Sequence, residues 1–79
     1  MQHSPNIIGR NVAKFRRQRG WIKAELLAKL QLAGCPITLD ILASIEAQRC
    51  AVTDAQIFIF SQVFRVSVEE LFFPDSDID

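Results

Sequence analysis

The sequence predicts an all-α domain, a compact five-helix bundle, and three observations carry that prediction. One start pattern recurs along the chain: an apolar residue, a cap, two spacers, Glu or Gln, then an apolar residue. It combines a capping box with a hydrophobic staple, the signature of a helix N-terminus. Gly20 and Gly34 stand where left-handed residues would stop two of the helices. Apolar residues fall at helical spacing between these signals. A chain of 79 residues, 49% hydrophobic with three Gly and three Pro, makes one domain with a core just large enough to fold alone.

The first helix is expected from about Asn6 to Arg19, with Ile8, Val12 and Phe15 as its inner face. The second follows Trp21-Ile22-Lys23-Ala24-Glu25-Leu26, which has the staple and the Glu, although Ile22 in the cap position can accept no hydrogen bond. That defect costs about 1 kcal/mol and frays the helix unless packing of Trp21 holds it. The third follows Ile37-Thr38-Leu39-Asp40-Ile41-Leu42, with a proper cap in Thr38 but Ile41 where Glu or Gln would close the box. Pro36 restricts the chain entering it. Val52-Thr53-Asp54-Ala55-Gln56-Ile57 and Val66-Ser67-Val68-Glu69-Glu70-Leu71 fit the pattern completely. By composition QIFIFSQVF suits a strand, but the capping box before it makes residues 54–64 a helix. Pro74 ends the fifth helix, leaving a core of about residues 6–73 and an acidic tail over 74–79.

Every long apolar run is interrupted by Arg, Lys, Glu or Gln, so no membrane span is expected, and MQHSPNIIGR does not read as a signal peptide. A cytoplasmic protein is the expectation, with Cys35 and Cys50 as buried reduced thiols. His3 is the sole histidine, so neither a metal site nor a nucleophile-and-base set assembles, and no enzyme, cofactor or small-molecule substrate is expected. Charge is unevenly spread. Residues 1–29 carry seven cations against Glu25 alone, whereas residues 30–79 carry Arg49 and Arg65 against eight acids. The basic half either forms one face for a polyanion or pairs with the acidic half in the fold. Arg16, Arg17 and Arg19, joined by Lys14 and Lys23, are read as a phosphate-binding patch, and Trp21 as core.

Phe15-Arg16-Arg17-Gln18-Arg19-Gly20-Trp21, Glu25-Leu26-Leu27-Ala28-Lys29-Leu30, Ile45-Glu46-Ala47, Val52-Thr53-Asp54 and Val66-Ser67-Val68-Glu69-Glu70-Leu71-Phe72 follow one another in a telling order and spacing. Together they resemble the lambda-repressor/Cro-like helix-turn-helix regulators of bacteria and phages. The longer turn Gln31-Leu32-Ala33-Gly34-Cys35-Pro36-Ile37 resembles a subgroup with an extended connection. The resemblance implies a transcriptional regulator that binds double-stranded DNA as a homodimer, with the helix over 38–48 in the major groove. Lys23 would meet a phosphate, assisted by the helix N-terminus. Thr38, Leu39, Asp40 and Ser44 would lie on the exposed reading side, with Ala43 between them and Leu42 and Ile45 turned inward. Asp40 would accept from a cytosine amino group, and Leu39 would touch a thymine methyl. Gln48 and Arg49 would face the phosphate backbone, with Lys14 and Arg17 adding to the non-specific contact. Arg16 and Glu46 would form a structural ion pair bracing the first helix against the third.

Phe58, Ile59, Phe72 and Phe73 exceed what one small core needs, and are read as a dimer interface. An alternative keeps the fold but makes it a protein-interaction or oligomerisation module, because Leu39-Asp40-Ile41 places no Arg, Lys, Asn or Gln on the reading surface.

Overall fold

A computed structural model describes residues 7–74 as five helices: α1 (Ile8–Gln18), α2 (Lys23–Leu32), α3 (Leu39–Glu46), α4 (Asp54–Phe64) and α5 (Val68–Phe72). No strand occurs among the described residues. Asn6, His3 and the residues after Pro74 lie outside them. None of the helices is long and apolar enough to cross a membrane.

The start signals form as local chemistry dictates. Thr53 Oγ1 accepts from Gln56 N–H at 3.1 Å while Gln56 Oε1 accepts from Thr53 N–H at 2.9 Å. Ser67 and Glu70 close the same box on α5. Thr38 Oγ1 accepts from Ile41 N–H at 3.2 Å, the half of the box that α3 can make. α2 has the other half: Glu25 Oε1 accepts from Ile22 N–H at 2.9 Å, and the Ile22 side chain returns nothing. α2 still begins at Lys23. Trp21, the staple before it, stacks on Phe64 with ring centroids 5.8 Å apart.

Helix ends share one device. After each of α1 to α4 a residue with positive φ turns the chain, and two backbone bonds close behind it. At α1, Trp21 N–H reaches Arg16 O and Gly20 N–H reaches Arg17 O. At α2, Cys35 reaches Leu30 and Gly34 reaches Gln31; at α3, Arg49 reaches Ser44 and Gln48 reaches Ile45; at α4, Val66 reaches Ser61 and Arg65 reaches Gln62. This six-to-one and five-to-two pairing is the Schellman closure. Glycine serves at Gly20 and Gly34, but Gln48 (φ 61°) and Arg65 (φ 59°) adopt the same conformation with a side chain attached. α3 therefore stops at Glu46, two residues short of the expected 48, because Gln48 is the left-handed residue of the turn.

The core gathers Ile8, Val12 and Phe15 from α1, Leu26 and Leu30 from α2, Leu42 and Ile45 from α3, Phe60 and Phe64 from α4, and Leu71 from α5. Phe64 is its hub, lying 5.5 Å from Phe15 and 6.3 Å from Phe60 between ring centroids. The apolar run in α4 divides by helical phase. Phe60 is fully buried, Ile57 and Ile59 are half-buried, and Phe58 stands 57% exposed. Buried Asn11 donates through Nδ2 to Leu71 O at 2.6 Å, tying α1 to the end of α5. It satisfies a carbonyl that α5 leaves open, so its burial carries no orphan penalty.

Candidate nucleic-acid interface

α3 is held from behind by an ion pair. Arg16 Nε donates to Glu46 Oε2 at 2.8 Å and its Nη2 donates to Oε1 at 3.0 Å, a two-pronged contact. The remaining Nη1 donates to Trp21 O at 2.8 Å, which fixes the turn between α1 and α2. The two side chains are only 9% and 5% exposed. Lys23, the first residue of α2, approaches the same carboxylate at 3.9 Å while keeping 43% of its side chain in solvent. One acid from the C-terminal half thus takes two cations from the N-terminal half. The start of α2 is thereby set beside the last turn of α3.

The remaining expected contact residues are distributed as follows. Thr38, Leu39, Asp40, Arg49 and Arg17 are exposed; Lys14, Ala43, Ser44 and Gln48 are half-buried. Leu42 and Ile45 point into the core at zero exposure. Leu39 and Ile41 stand 45% and 42% exposed, so the outer side of α3 opens on two apolar residues and an acid. Asp40 in the first turn suits the positive end of the helix dipole. Connecting α2 to α3, the 33–38 segment is stabilised by Gln31 Nε2 donating to Ile37 O at 3.3 Å.

Several expectations change. Arg16 and Arg19 do not join Arg17 in a phosphate-binding patch. Arg16 is buried in its pair. Arg19 lies 5.3 Å from both the Phe15 and Phe64 ring centroids and donates through Nη2 to Phe64 O. The two are three residues apart on a helix and share its inward side, whereas Arg17 turns to solvent. Cys35 is buried as expected, and burial raises its thiol pKa above the ordinary value. Cys50 is only half-buried, and the two thiols are not bridged. Ile59 and Phe72 pack against the core, leaving Phe58 and the 70% exposed Phe73 as the outward aromatics of α4 and the chain just past α5. Sequence reasoning missed Leu32, 89% exposed at the end of α2, and Ile22, 63% exposed. Leu32 stands two residues past buried Leu30, which places it on the side of α2 turned away from the core.

Among the described residues no group of three or more His, Cys, Asp and Glu side chains is placed to hold a metal ion. No family model, curated protein or solved structure matches this chain.

Proposed function

We propose that this chain is a helix-turn-helix regulator of the lambda-repressor type that binds duplex DNA as a homodimer, inserting α3 in the major groove. The observation that carries the reading is the brace behind α3. Arg16 and Glu46 lock the helix against α1 while Lys23, at the head of α2, stays half in solvent beside its last turn. A rigid helix with its outer side free and cations at its margins is what groove insertion requires. Lys23 and Arg49 serve as phosphate contacts, Arg17 and Lys14 extend them, and Thr38, Leu39, Asp40 and Ser44 face the base edges. The role is binding rather than catalysis.

Salt dependence tests it. Affinity for duplex DNA should fall linearly on a log–log plot against salt. Replacing Lys23 and Arg49 by Glu removes four phosphate contacts per dimer and flattens the slope by about 3–4. Affinity that ignores salt, or no affinity at low salt, rejects the reading.

A second reading, a protein-interaction module on the same scaffold, is favoured by one observation: Leu39, Asp40 and Ile41 are all exposed at the start of α3. Leu39→Lys separates the two by sign. It strengthens binding to a duplex and weakens binding to an apolar protein surface.

A further inference from the structure

The solvent side of α4 carries a pattern that the core does not explain. Its exposed positions are Asp54, Ala55, Phe58 and Gln62, followed by Arg65 just past the helix. These recur at intervals of three and four and therefore line one side. An acid stands at one end of that side and a cation at the other. Phe58 projects near the acidic end with more than half its surface in water. Near the basic end opens a shallow groove of about 540 Å³, lined by Trp21, Lys29, Leu32, Ala33, Gln62, Val63 and Arg65. Gln62 and Arg65 belong both to the groove and to the stripe, so the projecting ring and the recess share one side of the helix.

We propose that this side of α4 pairs with a second copy of the chain, antiparallel about a two-fold axis. Phe58 of each copy seats in the groove beside Leu32 and Val63 of the other, and Asp54 of each faces the partner's Arg65. The register follows from the sequence. Phe58 opposite the partner's Gln62 puts the axis level with residue 60, and Asp54 then lies within one residue of the partner's Arg65. An isologous contact needs a surface that is its own complement. A ring and a recess, an acid and a cation, placed symmetrically about one point of one helix, meet that need. The pairing covers Leu32, which has no packing role within the fold. With a formal net charge of zero, two copies meet without net repulsion.

Nucleic acid is a poorer occupant. The Trp21 ring already has Lys29 Nζ 4.7 Å from its centroid and Phe64 stacked on it, so the one ring that lines the groove has neither face open to a base. The inference deepens the homodimer part of the reading above, and its test is made without DNA.

Sedimentation equilibrium of the full chain should show a monomer–dimer exchange. Phe58→Glu should weaken it by roughly a hundredfold or more. Asp54→Arg places like cations at both ends, and Arg65→Asp places like acids there; each alone should weaken association about tenfold. Both positions are exposed, and Asp tolerates the left-handed backbone at 65, so circular dichroism should show the fold unchanged. An equimolar mixture of the two charge variants should recover wild-type association, because each copy supplies the charge that the other lost. The proposal is overturned if the wild type stays monomeric into the millimolar range, if either charge variant associates like the wild type, or if the mixture does no better than its components. Dimers that ignore duplex DNA sink the DNA reading alone, whereas a monomer that binds duplex sinks the pairing and the homodimer part of that reading and leaves the duplex contact standing.

Discussion

Removing the guanidinium of Arg16 should unfold this domain more readily than any surface change. Arg16→Ala leaves Glu46 with a carboxylate that is 5% exposed and has lost both short hydrogen bonds. Lys23 at 3.9 Å is too distant and too hydrated to replace them. Trp21 O loses its donor in the same step. Breaking a buried pair from one side costs about 3–5 kcal/mol, since the charge left behind has neither water nor partner. A domain of this length has roughly 4–12 kcal/mol of stability in total. The expected loss is therefore about a quarter of it or more, and Tm should fall by at least about 12 °C. Urea unfolding followed by tryptophan fluorescence is the direct assay, because Trp21 is the only tryptophan and packs on Phe64 beside the pair. The double variant Arg16→Met, Glu46→Leu should recover part of the loss, with a coupling energy of about 2 kcal/mol or more across the cycle. A loss below about 1 kcal/mol for Arg16→Ala, the value of an exposed pair, would refute the claim that this contact braces α3.

Three further outcomes follow from the helix ends and the thiols. Ile22→Ser supplies the missing acceptor opposite Glu25 and gives up little burial, so the urea midpoint should rise by the equivalent of about 1 kcal/mol; an unchanged midpoint means Trp21 packing already fixes α2 fully. Gln48→Gly relieves a side chain held at φ 61° and should add about 0.5–1 kcal/mol, read from the same midpoint. A loss there would show that the Gln48 side chain contributes more than its backbone strain removes. An aromatic disulfide reagent should modify Cys50 quickly and Cys35 only through opening of the fold, since burial keeps the Cys35 thiol both enclosed and protonated. Equal rates in the folded state would contradict this.

The starts of the helices were legible because capping boxes are local. Thr53 with Gln56, and Ser67 with Glu70, need no information from the rest of the chain. The stops were half legible. Glycine announces the left-handed residue after α1 and α2, but Gln48 and Arg65 occupy the same conformation for reasons no residue type discloses. There the backbone bonds and the residues that follow set the turn, most visibly Val66, whose N–H reaches Ser61 O. The division of the arginines was misread through a count of charges. Helical phase would have found it: Arg16 and Arg19 lie on the side of Val12 and Phe15, and Arg17 does not. The charge asymmetry of the sequence is partly spent inside the fold, through Glu46 accepting from Arg16 with Lys23 close by.

What remains of the apolar start of α3 can be divided by the same reasoning. Leu39 continues the stripe of Leu42 and Ile45 one turn outward, so its partial exposure marks the edge of the core. Asp40 sits in the first turn, where an acid favours the helix dipole. Ile41 has neither justification. It stands three residues after Thr38, where Glu or Gln would complete the box that Thr38 begins, and it leaves Thr38 N–H without that acceptor. Local stability argues against isoleucine at this place, and the residue is 42% exposed. A side chain that the fold does not favour, on the outer side of a braced helix, points to a contact beyond the fold. Ile41→Gln should leave stability unchanged or higher while weakening whatever α3 binds, by about tenfold if a buried methyl-bearing contact of roughly 1.4 kcal/mol is lost. Duplex binding measured beside urea unfolding decides it. If stability falls and binding is untouched, Ile41 belongs to the core after all, and the binding surface must be sought elsewhere on α3.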